Sequence, residues 1–238
     1  LDDKVMKQEK IWDYFQRQAL NQSSPIFSGA IPRLKFLFQK AQQLSGNRQL
    51  RVLNIGVGNG WLEHKCSNHG WETYALDPSE VAITKLEKSG IRGKVGYIEN
   101  IPYDDDFFDI VFCSEVIEHL STEQTNEAVN EIARVLKKFG ILIGTVPFNE
   151  NLSKSIVVCP DCGKVFHKWG HQQSFDIQSL STIFSKNFKL EKIKVIYFVL
   201  WPELNWKGFL ISFLKKGLSV LGVHGQNENL FFVLRKCD

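Results

Sequence analysis

Residues 50–147 alternate between two hydrophobic periods. Short apolar runs predict five strands: LRVLNIG (50–56), WETYALD (71–77), GKVGYIE (93–99), FFDIVFCSE (107–115) and GILIGTVP (140–147). Between them, apolar residues recur three or four positions apart, which predicts helices over about 61–69, 79–90 and 121–140. The last of these starts on a Ser-x-x-Gln capping box at Ser121 and Gln124. Gly90 and Gly140 read as helix stops. Strands alternating with helices in this way fit a parallel sheet covered by helices on both faces.

The flanks follow a different rhythm. Helices are expected over about 5–20, with Trp12, Phe15 and Ala19 on related faces, and over 33–45, stopping at Gly46. Beyond residue 173, a helix (174–187), a strand (188–198) and a final strand (229–237) complete the pattern. This order divides the chain into a helical cap at 1–46 and an α/β domain at 47–238, with insertions at 148–173 and 200–226.

Composition narrows the picture only modestly. Of 238 residues, 43% are hydrophobic, enough for a large core, and the net charge of +3 argues little for nucleic acid. No apolar run approaches a membrane span. The charged start LDDKVMKQEK lacks a signal peptide's apolar stretch. Five cysteines without a disulfide-like framework complete the expectation of a reduced, cytoplasmic protein.

The first candidate chemistry lies at VLNIGVGNGW, where Gly56, Gly58 and Gly60 follow a strand. In an open α/β sheet, ligands bind outside the carboxyl ends of the strands. Glycine there tolerates positive φ and lets a ligand approach the main chain. Asp77 closes the next strand, 21 residues after Gly56, where an acid can accept bonds from both hydroxyls of a ribose. The spacing is G-x-G-x-G, with Trp61 where a dinucleotide fingerprint has its third glycine. A nucleoside ligand lacking a pyrophosphate therefore fits better than NAD or FAD. A plain strand-to-helix turn without a ligand is the bland alternative.

The segment YIENIPYDDDFFDIVFCSEVIEHL (97–120) resembles that of the class I S-adenosylmethionine-dependent methyltransferases, particularly the group that includes the ubiquinone-biosynthesis enzymes. The resemblance runs from about 50 to 147 and more loosely to 236. It implies an α/β fold of the Rossmann-like, doubly wound type: a seven-stranded, mostly parallel sheet with one antiparallel strand and helices on both faces. It further implies that Asn54, Gly56, Gly58 and Gly60 line the methionine part of the cofactor. Asp77, followed by Pro78, would hold the ribose, Glu99 and Asn100 would flank the adenine, and Ser114 and Glu115 would lie beside the methyl group. Two positions depart from the family pattern. Asn54 stands where an acid is usual, and Tyr97 stands where an acid often receives the adenine amino group.

A hydroxyl acceptor must lose a proton, and His119 and Glu115 are the candidate catalytic residues. Glu115, Glu118 and His119 form E-x-x-E-H, which in a helical turn would share one face. In ubiquinone-type O-methyltransferases this constellation is associated with magnesium; solvent-facing carboxylates are the bland reading. A second metal candidate is CPDCGKVFHKWGH, where Cys159, Cys162, His167 and His171 show a C-x2-C-x4-H-x3-H spacing suited to structural zinc. The stretch WKGFLISFLKKGLSVLG (206–222) predicts an amphipathic helix that covers its own core or lids a pocket, or else makes transient membrane contact through Lys215 and Lys216. The expected activity is O-methylation of a small-molecule, saccharide or lipid-like acceptor. A methyltransferase for RNA or protein, and an inactive cofactor-binding module, are the alternatives.

Overall fold

A computed structural model describes residues 5–20, 27–46 and 48–237. Seven strands form the main sheet: β1 (Arg51–Ile55), β2 (Glu72–Asp77), β3 (Arg92–Val95), β4 (Phe108–Ser114), β5 (Leu136–Pro147), β8 (Phe188–Ile196) and β9 (Asn229–Lys236). Their order is β3-β2-β1-β4-β5-β9-β8. Only β9 runs antiparallel, inserted between β5 and β8. The switch from β1 to β4 places a crevice at the carboxyl edge, between the loop after β1 and the end of β4.

Alternation along each strand sends side chains to opposite faces. Leu53, Val111, Leu142 and Phe232 face one side, where α5 (Thr122–Val135) and α6 (Ile177–Phe184) cover them through Val129, Ile132, Leu180 and Phe184. Val52, Ile110, Phe112 and Phe231 face the other side, against α2 (Ile31–Ser45) and α3 (Trp61–Asn68). The residues between β2 and β3 form α4 (Glu80–Lys88), capped by Ser79, whose Oγ accepts from the Ala82 amide. The first helix, α1 (Val5–Leu20), adds Trp12 and Phe15 over the carboxyl edge, where Trp12 meets His119 edge-on and Phe15 meets Trp169.

Several element boundaries differ from the sequence expectation. The third strand ends at Val95, so Tyr97 and Glu99 lie in the following loop. The helix expected over 121–140 stops at Val135, and Leu136 joins β5 opposite Phe108. Residues 148–173 contain a small hairpin, β6 (Ile156–Val158) with β7 (Val165–His167). In α7 (Trp206–Val220) the arrangement is inverted relative to a core-covering helix. Ser212 and Ser219 are buried, whereas Trp206, Phe209, Leu210, Ile211, Phe213 and Leu214 are all more than half exposed. No helix among the described residues is long and apolar enough to cross a membrane.

Candidate active site

The loop after β1 adopts the backbone that its glycines permit. Gly56, Gly58 and Gly60 have φ of 82°, 57° and 82°, a region that side-chain-bearing residues rarely enter. A Cβ on Gly56 would lie 2.8 Å from Val116 Cγ2, so this glycine also lets the turn after β4 approach. A cleft beside the loop is bounded by Gly58, Asn59 and Gly60, by Val81 and Lys85 of α4, and by Gln16 of α1.

Two carboxylates lie beneath this loop. Asp77 is buried; its Oδ2 accepts from the Val57 amide and its Oδ1 from the Ser79 amide, each at 2.8 Å. It thus ties the loop after β1 to the start of α4. Burial pushes its pKa up, against these two amides. Glu63, in the first turn of α3, is fully buried and was not singled out from the sequence. Its Oε1 accepts from Asn54 Nδ2 at 2.7 Å, and its Oε2 has no hydrogen-bond partner. Loss of solvent pushes its pKa up to about 8, with the Asn54 bond acting in the opposite direction. An acid absent at position 54 thus lies within hydrogen-bond reach of it, in the first turn of α3. The sequence signal was faint: Glu63 is the third residue after the last loop glycine.

At the end of β4, Ser114 Oγ lies 2.8 Å from Thr145 Oγ1 of β5 and receives a 3.0 Å bond from Arg33 Nε of α2. Glu115 follows at φ 58°, accepts from Thr145 Oγ1 at 2.9 Å, and faces Arg33 at 3.8 Å. Arg33 was also missed, because nothing in the sequence places α2 against this edge. In the loop after β3, Glu99 accepts from Gln124 Nε2, the Asn100 amide bonds to the Tyr97 carbonyl, and Tyr97 is exposed. Pro78 sits between Asp77 and the Ser79 cap.

The three E-x-x-E-H residues do not share one helical face. Glu115 takes a left-handed conformation and a 3-10 turn spans Ile117–His119, so Glu115 turns toward Thr145 and Arg33. Glu118 and His119 instead meet His171. That donor set, two imidazoles with one carboxylate, does not suit magnesium, which favours oxygen ligands. His119 is buried beside His171 and Trp12, and loss of solvent depresses it to about 3. At neutral pH it is an uncharged imidazole and a weak proton acceptor.

The four residues of the C-x2-C-x4-H-x3-H spacing are likewise not brought together. The hairpin pairs Ile156 with His167 and Val158 with Val165, while the Cys159 amide bonds to the Lys164 carbonyl. The thiols thus sit at the turn, three residues up the strand from His167, a rise of about 10 Å. The Cys162 and Asp161 amides hold the Cys159 thiol below its ordinary range. Among the described residues, the two groupings of possible metal ligands contain no cysteine. The imidazoles associate with Glu118, His119 and Glu150 instead.

This geometry can be set beside known proteins. Residues 53–144 match the methyltransferase domain family. An uncharacterized methyltransferase, YcgJ of Bacillus subtilis (strain 168), is 36% identical over 97 residues, covering 38% of each chain. A ubiquinone biosynthesis O-methyltransferase of Alkalilimnicola ehrlichii is 31% identical over 110 residues, 43% of this chain and 44% of that protein. The chain thus spans well under half the length of these two relatives. In fold, it is similar to the N-methyltransferase NodS of Bradyrhizobium japonicum WM9, crystallised with S-adenosyl-L-homocysteine. The TM-score is 0.64 at 14% identity, over 96% of this chain and 99% of that one. Within the matched span lie the glycine loop, Asp77, Ser114, Glu115 and Glu63; Arg33 and the 148–173 insertion fall outside it.

Proposed function

We propose that this chain methylates a hydroxyl oxygen of a small, lipid-like acceptor, with S-adenosylmethionine as donor. The observation that carries this reading is the buried Glu63 oxygen without a partner, beneath three positive-φ glycines and next to Asp77. An orphaned buried carboxylate oxygen fits a ligand ammonium, and a buried acid at the end of β2 fits a ribose. Gly56, Gly58 and Gly60 would line the amino-acid portion, Glu63 would face its ammonium, and Asp77 would hold the ribose. Glu99 and Asn100 would flank the adenine. When bound, this cofactor supplies an electrophilic sulfonium methyl. Glu115, oriented by Thr145 and Arg33, accepts the proton that a hydroxyl must release; this role passes to it from the buried, weakly basic His119. The name of the Alkalilimnicola relative and the exposed apolar face of α7 both favour an oxygen on an apolar acceptor.

Calorimetric titration with S-adenosylmethionine and its demethylated product should show one binding event each. Labelled-methyl transfer to a panel of prenylated catechols, sugars and RNA should favour the first. Failure of both cofactor forms to bind rejects the reading; transfer only to sugars or RNA rejects the acceptor class.

The apolar face of α7 is bordered by Lys207 and Lys216, which suits insertion into the headgroup region of an anionic bilayer. Co-sedimentation with phosphatidylglycerol vesicles is the expected outcome. Phe213→Glu should weaken it by at least ~10-fold, because burying one aromatic side chain contributes roughly 2 kcal/mol. Unchanged binding by this variant, or none by the native chain, would remove the lipid role of α7.

A further inference from the structure

Three segments converge beside Trp12. The turn after β4 brings Glu118 and His119, the stretch after β5 brings Glu150, and the chain after β7 brings His167 and His171. The convergence is enforced by hydrogen bonds. The Gln172 and Gln173 amides donate to the Glu118 carbonyl at 2.7 and 3.1 Å. The Gln172 side chain donates to the His119 carbonyl at 2.6 Å, and the Gln173 side chain to the Leu120 carbonyl at 2.8 Å. This clamp sets the His171 ring 4.7 Å from His119, with His167 stacked on its other side at 4.8 Å. One donor atom each from Glu118, His119 and His171 lies within 4.8 Å of the others, and the same holds for Glu150, His167 and His171.

The cluster contains a physical conflict. Glu118 is fully buried and neither carboxylate oxygen has a hydrogen-bond partner. A lone buried carboxylate is costly unless it takes up a proton or pairs with a cation. Two imidazoles next to Glu118 offer nitrogen donors. His171 Nδ1 contacts Glu150 Oε2, the carboxylate contact that characteristically orients a metal-binding histidine through its other nitrogen. The Glu150 Oε1 atom also lies 3.6 Å from His167 Nε2.

We propose that Glu118, His119 and His171 bind one divalent transition-metal ion, with Glu150 orienting His171. The mixed imidazole and carboxylate donors suit zinc or a neighbouring first-row ion. The ion fastens the 148–173 insertion to the turn that follows β4, and so holds one wall of the carboxyl edge. Its ligands exclude both the hairpin thiols and Glu115.

Chelator-stripped chain is titrated with zinc chloride and, separately, with magnesium chloride. One equivalent of zinc should bind, raising Tm by roughly 5 °C or more at a hundredfold excess over Kd, and magnesium should do neither. Glu118→Gln should abolish zinc binding, and Glu150→Gln should weaken it about 10-fold or more. Cys159→Ser with Cys162→Ser should leave it unchanged. Cobalt loading of the native chain keeps the test independent of how the variants fold. Nitrogen and oxygen ligands give visible d–d bands without the near-ultraviolet thiolate charge-transfer band. The proposal is overturned if zinc fails to bind the native chain, if Glu118→Gln retains it, or if that thiolate band appears.

Discussion

Glu63→Gln is expected to stabilise the chain at pH 8 by roughly 4 kcal/mol, and to leave it almost unchanged below pH 4.5. The sign follows from proton binding. The folded chain holds a proton on Glu63 up to about pH 8, whereas an unfolded chain releases it near 4.5. The stability this proton contributes is complete below 4.5 and is lost as pH rises toward 8, with a slope of up to ~1.4 kcal/mol per unit. Glutamine resembles the protonated acid in shape and keeps an acceptor for Asn54, so the variant is spared that loss. Urea unfolding across this range measures the slope directly. A variant whose gain is the same at both ends would show that Glu63 ionises normally. The same substitution should weaken cofactor binding, since an ammonium drawn beside Glu63 favours its charged form. Native binding should therefore release a proton, detectable in buffers of different ionisation enthalpy, and binding by the variant should release none.

Much of the sheet is legible in the sequence because its signals are local. β1, β2, β4, β5 and β9 are apolar runs buried along most of their length, and β9 carries Leu230 through Leu234 without a polar interruption. The glycine loop and Asp77 are legible for a similar reason, since both terminate strands. Failures arise where a distant contact overrides local preference. ARVLKKFG reads as a helix running to a glycine stop, yet Leu136 is buried opposite Phe108, and the strand accommodates Phe139 at φ 61°. Spacing alone also suggested that E-x-x-E-H shares a face, but the left-handed Glu115 breaks the helical period. Four ligands within thirteen residues looked like one centre until strand pairing placed the thiols and His167 at opposite ends of a hairpin. His171 finds its neighbours through Gln172 and Gln173, which bond to a turn more than fifty residues earlier. A ligand pattern read along the chain carries no information about such a clamp. The same limit hid Arg33, whose partner Ser114 is 81 residues away.

Asp77→Asn should impair both fold and binding, and in separable ways. Each carboxylate oxygen receives one backbone amide, Val57 through Oδ2 and Ser79 through Oδ1. An asparagine side chain offers one acceptor and one NH2 group, so one of these buried amides must face a donor. An unsatisfied buried donor costs about 1–3 kcal/mol, which denaturant unfolding without ligand would register. The second loss concerns charge. Hydrogen bonds from ribose hydroxyls to a carboxylate are about twice as strong as those to a neutral amide. Replacing two of them, together with the loosened loop, should lower cofactor affinity by about 100-fold, or ~2.7 kcal/mol. Val57→Ala retains the amide bonded to Asp77 and does not alter the carboxylate, so it should cost stability by trimming the core contact of Val57 with α4 while largely sparing affinity. If Asp77→Asn is destabilised but binds S-adenosylmethionine as the native chain does, Asp77 is a brace between two loops and the ribose is held elsewhere. If affinity falls while the unfolding midpoint without ligand is unchanged, the two amides have found other acceptors and the carboxylate serves the ligand alone.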